Sequence, residues 1–447
     1  MPTSTRSTAA RVLAAFVLAL GGIAILPAGA HADQRAPESR DSIFISGDTG
    51  FNATNGIRGG TGTKKDPYVI SNWSVSSMEI KDTSKYVVIK NNQVFGQMIL
   101  DWNGANRVTV VKNDVGDLRV NQNVPRKGDA TGGRIAHNKF GFVGQLRHFD
   151  GIFEKNVIGS EDVLNQRGTF EAVQFDGFHG ARFRNNKIYG FVDVKLHGHH
   201  HGSGYKKGSH YHGGSGDYGD EQMSGGHDNH KKADHTKRYH QLFFSGNKIF
   251  SDGPYAVRYY DRDHTADDRT NASETNKLLN CPHVHFTRVH ITNNDLRGAG
   301  VLVDVFNAHD DNHWGTKTGL VEVSGNRVTV ERDVRDVGFG RHGITVQEAR
   351  DVKLHIMKNT ISGADMVQEE DLLKLEKNLN TGAGIRLMLL EKAKVHLGGN
   401  KVSHRDYGIW ATGFPRSVKW WVHELRTADV EKPIFYDSTV HNPPNQG

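Results

Sequence analysis

The chain of 447 residues has one cysteine, Cys281. No disulfide can form within it, so stability has to come from packing and hydrogen bonding. Cys281 stands before Pro282 at the head of a strand-like run and reads as a small buried side chain rather than a nucleophile. Excess charge is also small. The formal net charge is +6 with histidine neutral, mild for this length, and no motif of nucleic-acid recognition accompanies it, so nucleic acid is not an expected partner. Helical periodicity is nearly absent. The exception is "DMVQEEDLLKLEKNLN" at 365–380, which reads as a short amphipathic helix inserted in a loop.

Long apolar runs are missing beyond the first 32 residues. There, Arg6 and Arg11 precede "VLAAFVLALGGIAIL", and "AHA" at 30–32 supplies a small-x-small cleavage site. The segment reads as an export signal, with the mature chain starting near Asp33. Its apolar run is short for a membrane span, and no second run is long enough. The expectation is therefore a secreted, extracellular protein with no membrane span once the signal is removed.

One pattern is present from end to end: an apolar strand, then Asn, one residue, and an apolar residue. It recurs as "VVIKNNQVFG", "VTVVKNDVGD", "GRIAHNKFGF", "GIFEKNVIGS", "ARFRNNKIYG", "LFFSGNKIFS", "VHITNNDLRG", "VEVSGNRVTV", "LHIMKNTISG" and "VHLGGNKVSH". The marked residues are Asn92, Asn113, Asn138, Asn156, Asn186, Asn247, Asn294, Asn326, Asn359 and Asn400. Self-similarity at roughly 20 residues, with short strands rich in Val, Ile and Phe, predicts stacked coils. A propeller blade needs about 40 residues or more, so the spacing favours an all-β parallel β-helix, a solenoid. In such a solenoid each Asn turns a corner, because Asn tolerates left-handed backbone. Its side-chain amide bonds to the Asn one rung away.

The ends of such a stack need caps. The segment "IRGGTGTKKDPYVISNWSV" at 57–75 reads as the first cap, and "SVKWWVHEL", with Trp420 and Trp421, as the closure of the last rung. Gly60, Thr61, Gly62, Thr63, Asp66, Pro67, Tyr68, Ile70 and Trp73, followed by the Asn-marked rungs, resemble the right-handed β-helix proteins of the NosD-like, carbohydrate-binding and sugar-hydrolase group. That resemblance covers most of the chain as a fold and is specific around the entry segment. It implies a pectin lyase-like sheet that can hold sugars. The expected organisation is a signal at 1–32, an N-terminal extension at 33–56, a β-helix at 57–425 interrupted by an insertion at 197–240, and a tail at 426–447.

The insertion is built of histidine, glycine and charge, and separates two strand-like segments. Its ten histidines are His197, His199, His200, His201, His210, His212, His227, His230, His235 and His240. Imidazole suits Zn, Cu and Ni, and a zinc site needs three or four donors. Glycines let the segment bend imidazoles together, and Asp217, Asp220, Glu221, Asp228 and Asp234 can add oxygen ligands. The leading expectation is a protein that binds divalent metal ions, Zn or Cu, through several weak sites in this insertion. A solvated segment without a ligand is the plain alternative.

Two further segments, "YAVRYYDRDHTADD" after Asn247 and "VDVFNAHDDNHW" after Asn294, leave their corners at offsets like that of the His-rich insertion. Equal offsets in a solenoid mean one face, so the three segments are expected side by side. The same residues admit an enzyme: a polysaccharide lyase or a glycoside hydrolase. A lyase needs a base, a charge-stabilising cation and an acid. Arg258 can supply the cation, and His264 or His309 the base. A hydrolase needs two placed carboxylates, for which Asp261 and Asp304 are the candidates. Trp102, Trp314 and Trp410 can stack on sugars. His283, His285 and His290 read as ordinary surface positions. A structural or adhesive rod without chemistry is the remaining alternative, and extracellular polysaccharide is the second candidate partner.

Overall fold

The computed structural model describes residues 36–103, 108–123, 133–167, 170–178, 180–195, 240–262, 285–306, 316–330, 342–363 and 382–446. In segments such as Val87–Lys90 and Val108–Val111 every second side chain is buried, so each strand presents one apolar edge inward. The strands assemble into a wide sheet of 20 and a narrow sheet of 14. Their pairings are parallel except where Ile57–Gly59 meets Tyr68–Ser71. This is the expected all-β parallel β-helix. The stack includes Glu38–Ser46, paired in parallel with Trp73–Thr83, and Arg426–Tyr436, paired with Lys401–Thr412.

A coil runs from a narrow-sheet strand through a tight corner into the wide sheet, which takes one long strand or two short ones. In one coil these are Ala181–Arg184, then Lys187–Tyr189 and Phe191–Lys195. Between the sheets lies a continuous apolar core. Phe153, Phe183 and Phe244, none of them exposed, stack ring on ring at 4.8 and 5.0 Å. In-register pairing makes the like residues of successive coils neighbours.

The ten marked asparagines form one buried column. Each Oδ1, from Asn113 to Asn400, accepts the backbone N–H and the side-chain amide of the preceding Asn at 2.9–3.2 Å. Each Nδ2 also donates to a carbonyl of the coil before it, as Asn247 does to Phe183 at 3.1 Å. The corner itself differs from the expectation by one residue. Left-handed backbone falls on the position before the ladder Asn: Asn91, Lys112, His137, Lys155, Asn185, Gly246, Asn293, Gly325, Lys358 and Gly399. The ladder Asn is chosen for its amide, since a buried corner strands N–H and C=O groups that only a donor–acceptor side chain can satisfy.

The entry segment owes its glycines to space. At Gly60, with φ 87°, a Cβ would lie 1.9 Å from the Pro67 carbonyl oxygen. At Gly62, with φ 75°, it would meet the Tyr68 ring at 2.4 Å. Trp73 begins the ladder by donating its backbone N–H to Asn92 Oδ1 at 3.0 Å. Trp420 is buried, but the coil it belongs to is not the last: Asn445–Gln446 pairs beyond it.

A helix not expected from the sequence, Glu161–Arg167, sits between the wide-sheet strands Val157–Ile158 and Glu171–Phe178. The expected helix at 365–380 lies outside the described residues, as do Cys281 and the export segment. Among the described residues no helix is long and apolar enough to cross a membrane.

Segments 196–239, 263–284 and 307–315 leave three consecutive coils at one corner. The strands before them, Phe191–Lys195, Val257–Arg262 and Val301–Phe306, pair in sequence, and so do the strands after them, His240–Ser245, His285–Thr292 and Thr316–Ser324. The roots of the three polar segments thus share one flank, with the first and third two rungs apart.

Candidate functional site

The outward face of the wide sheet is set by the same two-residue alternation that builds the core. Inward positions Val194, Tyr259 and Val303 are in register, so their neighbours Asp193, Arg258 and Leu302 face out together. This outward column continues through Thr345, Arg386, Trp410 and Phe435. A parallel column carries Asp176, Lys195, Tyr260, Asp304 and Glu348.

A group of ionisable residues gathers where the His-rich insertion is rooted. Asp193, with no exposure, is gripped by Arg258 through Nε at 2.7 Å and Nη2 at 2.6 Å. Lys195 Nζ approaches the same carboxylate at 3.1 Å. The Arg258 guanidinium lies 5.0 Å from the Tyr255 ring centre, and Phe191 meets Tyr255 edge-on at 5.2 Å. Beside them stands Glu171, opposite Phe191 in register and half-buried. Burial and then the negative charge of Asp193 raise the Glu171 carboxyl above the usual carboxylate range, more than Lys195 and Arg258 lower it. Its Oε1 is buried and makes no hydrogen bond among the described residues. Burial likewise raises the Tyr255 phenol, which therefore keeps its proton.

Chemically this is a carboxyl biased toward its protonated form, next to two cations that a buried carboxylate holds in place. The bidentate Arg–carboxylate contact fixes the guanidinium plane. Asp193 has its oxygens committed to Arg258 and Lys195, so it positions rather than reacts.

Of the site residues expected from sequence, Arg258 lies in this group. Asp261 and Asp304 face opposite sides of the wide sheet, because Asp261 is in register with the inward Val305 and Asp304 with the outward Tyr260. Asp261 lies against Tyr259 and Thr318, whose hydroxyl donates to it, at the margin of the core. These two carboxylates do not form a catalytic pair; the neighbouring carboxyls are Glu171 and Asp193. His264 and His309 lie outside the described residues, as do the nine insertion histidines from His197 to His235, His283 and Trp314. His240 opens the strand His240–Ser245. His290 Nδ1 sits 2.8 Å from Glu322. Among the described residues no group of three or more His, Cys, Asp or Glu is placed to hold a metal ion.

Glu171, Asp193, Lys195 and Tyr255 were not singled out from sequence. Asp193 and Lys195 carry a signal in hindsight: "FVDVK" places charge at alternate positions of a strand that immediately precedes the insertion. Glu171 carries none, since the helix before it breaks the repeat spacing.

Compared with protein-family models, with curated proteins and with solved structures, the chain matches none.

Proposed function

We propose that the chain is exported, binds a polysaccharide along the outward face of its wide sheet, and transfers a proton to it at Glu171. The observation that carries this reading is the raised Glu171 carboxyl beside the Asp193–Arg258–Lys195 contact on an outward column. Most side chains of that column and its neighbour are polar, with Tyr260, Trp410 and Phe435 among them, which suits a ligand with hydroxyl groups at its rim and apolar ring faces. The likeness of the entry segment to the NosD-like sugar-binding and sugar-hydrolase group points the same way. Glu171 would protonate the sugar oxygen as its bond to carbon breaks. In hydrolysis a water molecule takes that oxygen's place at the carbon and returns a proton to Glu171. In elimination the sugar unit gives up its own ring proton to solvent as the double bond forms, and Arg258 and Lys195 stabilise the negative charge that builds there. A panel of neutral and acidic polysaccharides, scored for co-sedimentation and for new reducing ends, tests the proposal. Ultraviolet absorbance of an unsaturated sugar in the product marks a lyase, and reducing ends without it mark a hydrolase. Failure to bind any polymer overturns the reading.

A second reading is favoured by the position of the insertion's root. Residues 196–239 start directly after Lys195, on the flank from which the segments bearing His264 and His309 also leave. On this reading the insertion histidines take up Zn or Cu beside the glycan face. Calorimetric titration of the full chain against a chain lacking 197–239 is the test. Loss of tight binding on deletion supports it; unchanged binding rejects it.

A further inference from the structure

The outer rim of the asparagine ladder is basic. The residue after a ladder Asn opens a wide-sheet strand facing outward, and register sets these positions one above another. Lys139, Lys187, Lys248, Arg327 and Lys401 stand in that line, and Arg426, paired with Lys401, extends it; all are exposed. Val157, Asp295 and Thr360 fill the places between them. Arg297 bonds to Asp295 at 3.0 Å and balances its charge. Two open cavities, of about 500 and 490 Å³, lie along the line. Lys358, Lys401, Arg426 and Glu424 line the first, and Lys248, Arg297, Arg327 and Asp295 the second. Thr360 lines both, so they make one continuous groove. Lys248 and Arg426 are five rungs apart, roughly 24 Å at the usual strand spacing.

The fold does not require these cations, since Val157 and Thr360 hold the same position without charge. Like charges side by side on neighbouring strands repel, and Lys187–Lys248 and Lys401–Arg426 are in-register pairs of that kind. Solubility is served as well by interspersed signs. Repulsion kept in the native state without a structural need points to a ligand of opposite charge. We propose that this groove binds a linear acidic polysaccharide, laid lengthwise along the ladder with its carboxylate or sulfate groups at the cations. A polymer with one anion on each sugar unit repeats its charge at a length close to one rung. Among the described residues no Phe, Tyr or Trp lines either cavity, whereas single-stranded nucleic acid is held by stacking on such rings. A line of charge inside a groove suits a chain rather than a flat lipid surface. The groove is separate from the Glu171 group: Lys187 belongs to the strand before the bend at Gly190, and Asp193 to the strand after it. The inference therefore stands whether or not Glu171 transfers a proton.

The experiment uses the full chain and titrates it calorimetrically with polygalacturonate, a sulfated dextran, neutral dextran, a single-stranded oligonucleotide and vesicles of anionic phospholipid. The groove variant combines Lys248→Gln, Arg327→Gln and Lys401→Gln. A control that loses the same charge combines Lys353→Gln, Lys394→Gln and Lys419→Gln, an exposed in-register line on the narrow sheet. An acidic polysaccharide should bind at least about tenfold tighter than neutral dextran; the groove variant should lose that margin and the control should keep most of it. The uronate and sulfated arms decide which anion is preferred. Equal losses in the two variants would mean attraction by net charge alone and would overturn the site. Oligonucleotide or vesicle binding tighter than that of both acidic polymers would overturn the polysaccharide as its ligand. If the groove variant keeps its full affinity, or neither acidic polymer binds, the inference fails. Product release from a bound polymer reports on the Glu171 reading separately, so the two failures are told apart. Should the groove variant not fold, Lys358→Gln combined with Arg426→Gln takes its place, read in the same way.

Discussion

Arg258 and Asp193 are 65 positions apart in sequence and directly bonded across adjacent coils, with both carboxylate oxygens engaged. Asp193 has no exposure, so its charge depends on that contact and on Lys195. Arg258→Ala should destabilise the protein by roughly 3 kcal/mol, because it leaves a buried carboxylate short of its main partner. Adding Asp193→Asn should recover part of the loss. Denaturant melts of the two single variants and the double variant measure the coupling; additive effects would mean the pair is not an interacting unit.

The ladder makes a stronger demand. Removing the Asn247 amide takes the acceptor from the Asn186 N–H and from one of the two Asn186 Nδ2 hydrogens, and a donor from the Phe183 carbonyl, all at a buried corner. Asn247→Ala should cost about 3 kcal/mol or more, at roughly 1–3 kcal/mol per stranded group. The comparison is Asn91→Ala, one residue outside the ladder and exposed, where the expected loss is about 1 kcal/mol from backbone preference alone. Equal losses at the two positions would contradict the assignment of the amide rather than the corner as the reason for Asn.

The corner residue has its own test. Lys358 is exposed and holds φ at 57°. Lys358→Gly should stabilise by about 0.5–1 kcal/mol, since relief of left-handed strain exceeds the entropy glycine adds to the unfolded chain. Lys358→Val should destabilise by about 1–2 kcal/mol. Thermal melts that rank the three in the opposite order would refute the account of the corner.

Much of this fold is legible in the sequence for one physical reason. A buried polar residue recurring inside apolar strands has to be satisfied by its own copies, so the asparagines announce both the stacking and its register. The left-handed position was missed by one because Asn, Lys, His and Gly share it, and no single residue type marks it. The same register brought the roots of the three polar segments together, as expected from their offsets. The candidate site was less legible. Asp261 and Asp304 sit in similar segments, yet they fall on opposite faces, because a shift of one position along a strand reverses the side chain. Glu171 reaches Asp193 only through a coil whose spacing the helix Glu161–Arg167 disguises. Arg386 meets Trp410 across coils of unequal length, which sequence spacing alone does not align.

The narrow sheet carries a pH-sensitive neighbourhood. His396 stacks on Trp421 at 4.4 Å and meets His355 edge-on at 5.2 Å. Burial, then the charges of His355, His423, Lys353 and Lys394, lower its pKa below the ordinary 6.5. As pH falls below about 6.5 the unfolded chain takes up this proton before the folded one does, so stability declines with acidification. His396→Gln should flatten that decline between neutral and mildly acidic pH. Melting temperatures of the two proteins across this range provide the check, and parallel curves would rule out His396 as the cause.

The proposed role of Glu171 as an acid carries a definite pH sign. The acid must be protonated, and its raised pKa keeps it so above the usual carboxylate range. Product release should therefore fall as pH rises through that raised value. A rate that climbs with pH through the same range would assign Glu171 the role of base.

The most direct measurement compares wild type with Glu171→Gln on one polysaccharide that the protein binds, recording affinity and product release together. Affinity within about threefold of wild type, with release reduced at least about a hundredfold, is the predicted result for loss of a general acid. Undiminished release by Glu171→Gln would contradict the account.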